Sequence, residues 1–278
     1  QTYRAAFQGS AATTDDFKNI ASAVYGQDLS WFFNECVYGP GAPAYASGWQ
    51  TVAINGQNYL RLRLRQTQTA YPAFTMPVDI RVNSASGSQT VRVWNDAGTE
   101  WYVVPIAAPA TSIVVDENSW ILTTAKTSEA YVSGPPVVVQ AAPAPGQTFA
   151  PGAGPSQLTV TFSENVTTTS ADYVLTGPGG PVSVGVAYNP STFTATLSPA
   201  GSLPAGQYSL RVRDTVVSAA AAVRLDGEIA DPSNPASLPS GEGQPLGDAV
   251  WTFTVQGASC YANCDDSTTP PVLNVLDF

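Results

Sequence analysis

Asp226, Glu228 and Asp231 stand close together in one polar stretch, and three carboxylates so spaced offer oxygen ligands to a calcium ion. Without a fixed geometry the same acids form a solvated loop, and we read them that way. Cys260 and Cys264 have the spacing of a metal-binding pair or a disulfide; in an oxidising compartment the disulfide is expected. Cys36 is isolated in an apolar, helix-like segment with no sequence-neighbouring Lys, Arg or His to favour its thiolate. A buried, inert thiol is expected there. Arg61, Arg63 and Arg65 alternate with Leu60, Leu62 and Leu64, so three guanidiniums share one strand face. Alternation alone explains them as a solvated outer face paired with acids of neighbouring strands, rather than as a binding stripe.

The residue types that are missing narrow the chemistry further. The 278 residues contain no histidine. That removes Ser-His-Asp and Cys-His nucleophile systems and the His-Glu-x-x-His zinc site. The two lysines, Lys18 and Lys126, lie in no nucleophile motif. No catalytic residue and no cofactor is therefore expected of this chain itself. The net charge of −10 repels phosphates, which argues against nucleic acid as a partner. No apolar run approaches the ~20 residues of a membrane span. Charged residues make up 12% of the chain, against an average near 25%, so Ser, Thr, Asn, Gln, Gly and Pro must supply the polar surface. That composition suits a secreted, extracellular or cell-surface β-protein. The odd cysteine count, and a last residue that completes a motif rather than a domain, suggest truncation.

The elements that would position these groups are mostly strands. Helical spacing is confined to residues 1–40. Thr13 with Asp16 forms a capping-box-like start, Phe17, Ile20, Ala21 and Val24 follow on one face, and Gly26 is placed to end the helix. Asp28 can cap a second short helix with Leu29, Phe32, Phe33 and Cys36 on its apolar side. From Trp49 the period becomes two, through the Asn55-Gly56 hairpin dipeptide and the alternating 59–65 run. Further strands are expected at Met76–Val82, Gln89–Trp94, Glu100–Val104, Ser112–Val115 and Trp120–Leu122. After a linker at Ser133-Gly134-Pro135-Pro136, a second set begins at Val137 and includes Leu158–Phe162, Tyr173–Leu175, Val182–Val186, Thr194–Leu197, Tyr208–Val212 and Trp251–Val255. Residues 223–248 read as a long loop. Trp31, Phe32 and Phe33 are read as a cluster packing helix onto body rather than a ligand groove.

Three resemblances follow from local motifs. Asp16-Phe17, Gly26-Gln27-Asp28-Leu29-Ser30-Trp31-Phe32-Phe33 and Gly39-Pro40-Gly41-Ala42-Pro43 resemble the end of the helical region of bacterial zinc metallopeptidases of the aminopeptidase N family. Phe74–Ile80 and Val115–Leu122 resemble the small β-sandwich that follows in those enzymes. The family's zinc ligands and catalytic tyrosine lie upstream and map to no residue here. Residues 137–256, through the runs Leu158–Val166 and Leu203–Leu210, resemble a bacterial immunoglobulin-like repeat. Asn263-Cys264-Asp265-Asp266-Ser267 and Asn274-Val275-Leu276-Asp277-Phe278 are similar to the first half of a dockerin-like calcium repeat, without its turn glycine. That likeness implies calcium on Asn263, Asp265, Ser267, Asn274 and Asp277.

The expected fold is thus mainly β, two consecutive Ig-like β-sandwich domains preceded by a short helical segment. The expected divisions are residues 1–42 (helical tail), 43–134 (sandwich), 135–256 (Ig-like sandwich) and 257–278 (linker and truncated calcium loop). The resemblances imply a non-catalytic accessory part of a secreted zinc metallopeptidase, with zinc only in the parent. They also imply two partners: the upstream catalytic domain, and a cell-surface or scaffold protein at the dockerin-like end. The alternative is an extracellular binding, adhesion or spacer module.

Overall fold

The computed structural model describes residues 1–258. Strands make up 43% and helices 13%, so the fold is mainly β with a short N-terminal helical segment. The described residues divide into two compact units, one of residues 1–134 with 242–244, the other of residues 135–241 with 245–258.

The first unit opens with three helices, α1 (Thr2–Phe7), α2 (Thr14–Tyr25) and α3 (Ser30–Phe33), the last running into a π-helical turn at Asn34–Tyr38. α2 starts where the sequence places it. The Thr13 hydroxyl accepts from Asp16 N, the Asp16 carboxylate accepts from Thr13 N, and Gly26 ends the helix at φ 82°. Seven strands follow: β1 (Ala44–Ile54), β2 (Gln57–Gln66), β3 (Met76–Ser84), β4 (Gly87–Asn95), β5 (Thr99–Ile106), β6 (Ala110–Val115) and β7 (Ala125–Ser128). They form a four-stranded sheet ordered β5-β2-β1-β7 and a three-stranded sheet ordered β4-β3-β6. Asn55 and Gly56 both take positive φ, which the tight β1–β2 turn requires. Leu60, Leu62 and Leu64 from one sheet and Val78, Ile80 and Val82 from the other bury to 2% exposure or less in a shared core. Each such side chain contributes roughly 1.5–3 kcal/mol of burial.

The opposite face of β2 departs from expectation. Arg63 and Arg65 do find an acid, but the face is partly covered: Arg61 is 6% exposed, and the side chains of Arg63 and Arg65 are 20% and 38% exposed. Residues 129–134 lie across them. Glu129 takes Arg65 at 2.8 Å and Arg63 at 3.3 Å, Arg61 donates to the Ser133 hydroxyl at 3.2 Å, and Arg61 also sits 5.1 Å over the Tyr131 ring. Two further expectations are corrected. Residues 120–122 form no strand but part of a loop, because Asp116 captures the backbone N–H groups of Trp120 and Ile121. Cys36 is exposed rather than buried. It falls within the π-helical turn, on the side that Leu29 and Phe32 share, where the apolar surface opens to solvent instead of closing over the thiol.

The second unit contains β8 (Val138–Ala142), β9 (Thr148–Phe149), β10 (Leu158–Phe162), β11 (Val166–Thr167), β12 (Tyr173–Gly177), β13 (Gly180–Val182), β14 (Val184–Asn189), β15 (Thr194–Pro199), β16 (Gly206–Val212), β17 (Val217–Ser218) and β18 (Ala249–Val255). A sheet ordered β14-β15-β10-β8 and another ordered β13-β12-β16-β18-β9 enclose a core of Phe162, Leu197, Tyr208, Leu210, Trp251 and Phe253. The strict alternation of β18, every other residue buried, is that of a strand with one face in the core.

Candidate binding groove

The groove belongs to the first unit and is built by residues far apart in sequence. Tyr25 at the end of α2, Leu29, and Trp31 and Phe32 of α3 supply one side. Phe74 just before β3, Met76 and Pro77 at its start, Trp94 near the end of β4, and the 120–122 loop supply another, with Cys36 and residues 41–43 between them. It encloses about 580 Å³, and no lining residue among those described carries a charge. That volume lies in the range of small-molecule and side-chain sites. The Trp31 and Trp94 rings meet edge to face with centroids 5.3 Å apart. Trp31, Phe32 and Phe33 therefore divide their work. Phe33 is 2% exposed and packs on Phe17 and Tyr38, whereas Trp31 and Phe32 line the groove.

The walls are held by polar contacts outside the apolar surface. The Glu35 carboxylate accepts from Thr75 N at 2.6 Å, fastening the π-helical turn to β3. The Tyr38 hydroxyl donates to Asp15, which also pairs with Lys18 at 3.0 Å, so the turn is tied back to α2. These two bonds hold the Asp15 carboxyl below the usual carboxylate range, Lys18 first and Tyr38 second. Asp28 accepts from Ser30 N and holds the start of α3. Asp116 is 1% exposed, accepts from Trp120 N at 2.8 Å and Ile121 N at 3.2 Å, and lies 3.6 Å from the Lys126 ammonium. This loop presents Trp120 and Leu122, each 81% exposed, at the groove rim.

A buried polar cluster backs the opposite wall. The Gln66 amide donates to and accepts from the Phe74 backbone, and donates to Asn95 Oδ1 at 2.8 Å. Asn95 Nδ2 donates to Glu100 Oε2, which also accepts from Asp96 N and Ala97 N. Because Gln66 ends β2 and Asn95 ends β4, this chain joins the two sheets. Glu100 is 1% exposed, and its Oε1 accepts no hydrogen bond among the described residues. Burial is the main cause that raises its carboxyl to about 7, against the lowering effect of the Ala97 backbone, Asn95 and Tyr102.

Other candidates are not assembled into sites. Asp226, Glu228 and Asp231 form no group of three acids placed for a metal; Asp226 is fully buried, and Asp231 binds Ser233 in a local turn. Cys36 lines the groove but has its thiol pushed up, by burial first and the Glu35 charge second, so it stays protonated. Asn263, Asp265, Ser267, Asn274, Asp277, Cys260 and Cys264 lie outside the described residues. Among the described residues, no helix is long and apolar enough to cross a membrane.

Comparison with known proteins adds one assignment. No curated protein matches the chain. Among solved structures, PcoC, a methionine-rich copper resistance protein from Escherichia coli, is 22% identical, over 44% of this chain and 100% of its own, with a TM-score of 0.29. CopC from Methylosinus trichosporium OB3b is 18% identical over 45% of this chain and 96% of its own, with a TM-score of 0.30. The sequence of residues 132–255 matches the bacterial Ig-like domain family, so this part of the chain is a bacterial Ig-like domain.

Proposed function

We propose that this chain is a non-catalytic accessory part of a secreted zinc metallopeptidase of the aminopeptidase type, and that its aromatic groove is the face covered by the helical body of the upstream catalytic region. One observation carries the reading: an uncharged groove of about 580 Å³ opens beside helices that leave Phe17, Val24, Tyr25 and Phe32 between 40% and 69% exposed. Exposed apolar surface of this kind marks an interface. The motifs that resemble the metallopeptidase tail supply the identity of its partner. Zinc belongs to the parent alone in this reading, and calcium on Asn263, Asp265, Ser267, Asn274 and Asp277 would serve attachment to a cell-surface or scaffold protein. The location is extracellular.

The test is hydrogen exchange on a gene product extended upstream of Gln1, compared with the present chain. Protection of residues 25–36, 74–77 and 120–122 in the longer product is expected, together with amino-acid anilide hydrolysis that a chelator abolishes. The present chain should hydrolyse none. Equal exchange in both products would overturn the docking role, and chelator-sensitive hydrolysis by the present chain would overturn the non-catalytic one. A second reading, an extracellular binding or spacer module, is favoured by the Ig-like match at residues 132–255. It makes the groove a site for a separate apolar partner.

A further inference from the structure

We propose that Glu100 is a proton-operated regulator of the aromatic groove: gaining a proton locks the groove walls in place, and losing it loosens them. The inference rests on reading the groove as a binding face, and it concerns how that face is controlled.

Two paths run from Glu100 to the groove, one hydrogen-bonded throughout and one that begins with an electrostatic contact. The first passes through Asn95 and Gln66 to the Phe74 backbone. The second passes through Tyr102, which interacts with Glu100 and donates its hydroxyl proton to Trp94 O at 2.6 Å. Phe74 and Trp94 both line the groove. Both paths start from a carboxylate whose Oε1 has no donor among the described residues, while the Tyr102 hydroxyl donates to Trp94 O. A proton on Oε1 resolves this. The neutral acid can donate to the Tyr102 oxygen while Oε2 keeps its three donors. The ionised form leaves a buried charge half satisfied, which costs free energy until water enters or the Asp96–Gly98 turn moves. Moving that turn displaces Asn95 and its neighbour Trp94.

Of the groups facing Glu100, Tyr102 lowers its carboxyl, but burial outweighs that effect. Asp96 in its own turn raises the carboxyl, and Tyr45 of β1 and Tyr102 of β5 each feel its charge. The segment 242–244, with Glu242, belongs to the same unit, and the Gly243 carbonyl accepts from Trp101 N at 3.0 Å. The sign follows from linkage. The closed groove holds the proton more tightly than an open one would, so closure is favoured at low pH. That preference fades as pH rises through about 7.

The experiment uses the full chain. Nile red, neutral throughout pH 5.5 to 8.5, is titrated into it, while the carboxyl carbon of Glu100 and the indole protons of Trp31 and Trp94 are followed by NMR. Expected are a midpoint near 7 shared by Glu100 and both indoles, and a probe affinity lower by about threefold to tenfold at pH 8.5. Glu100→Gln should flatten both. Binding that ignores pH in the wild type overturns the inference and leaves the groove reading intact. No probe binding at any pH counts against the groove reading. NMR then decides the inference alone: shared midpoints support the coupling, and indoles that stay still while Glu100 titrates overturn it. The same wild-type spectra decide if Glu100→Gln fails to fold.

Discussion

A carboxylate placed among hydrophobic side chains must either keep its proton or find donors for both oxygens, and the first unit contains both outcomes. Asp116 takes the second course, with two backbone N–H groups and the Lys126 ammonium beside it. Replacing it by alanine should cost roughly 2–3 kcal/mol, because two N–H groups lose their acceptor and Lys126 loses its counter-charge. Chemical denaturation checks this, and faster proteolysis beside Trp120 should accompany the loss. Glu100 takes the first course. Its raised carboxyl means that the native state binds the proton more strongly than the unfolded chain, so its contribution is complete below about 4.5 and is lost as pH rises through about 7. Asp79 and Glu129 work in the other direction. Arg92 and Arg65 hold their carboxyls low, so their contribution is lost on acidification. The first unit should therefore be most stable near pH 5. Between there and pH 8 it should weaken by about 1–3 kcal/mol, and Glu100→Gln should remove that slope. A flat calorimetric profile from pH 5 to 8 in the wild type would contradict this account.

Among the elements, the legible ones were those whose own residues carried the signal. β10 was readable to its boundaries because Leu158, Val160 and Phe162 alternate into the core, and the start of α2 because Thr13 and Asp16 cap it within one turn. β7 was not, since its four residues are all exposed and its partner, the start of β1, lies some eighty positions earlier. The groove was half legible. Trp31 and Phe32 announce an aromatic surface, but Met76, Trp94 and Trp120 reach it only through strand pairing and the Asp116 loop. The cover over the arginines and the Glu100 cluster had no local signature, because each depends on contacts across sheets. The same distinction governs what the helices contribute. Every buried residue of the first core lies at Tyr45 or beyond, so residues 1–40 shield the sheets without completing their core. Deleting residues 1–40 should leave the first unit folded but less stable, since Phe74 and Met76 lose their cover, and should leave the transition of the second unit unchanged. Calorimetry of the truncated chain checks this. Complete loss of the first transition would make the helices part of the core and weaken the accessory-tail reading.

For the molecule as a whole, each unit has a hydrophobic core of its own, as an independently folding domain requires. The second is the better test of that independence, because its largest buried side chain has two separable roles. Trp251 is fully buried on β18 between the two sheets, and its indole N–H donates to Pro143 O at 3.0 Å. Trp251→Phe keeps an aromatic ring but removes the donor and leaves a void where the second ring of the indole lay. The buried Pro143 carbonyl then lacks its partner, and the combined cost should be about 2–4 kcal/mol. If the units fold independently, that loss lowers only the transition of the second unit, and Leu62→Ala lowers only that of the first. Scanning calorimetry of both variants separates the cases. Two transitions moving together in either variant would show one cooperative body, and the Ig-like domain could not then be treated as a self-contained spacer.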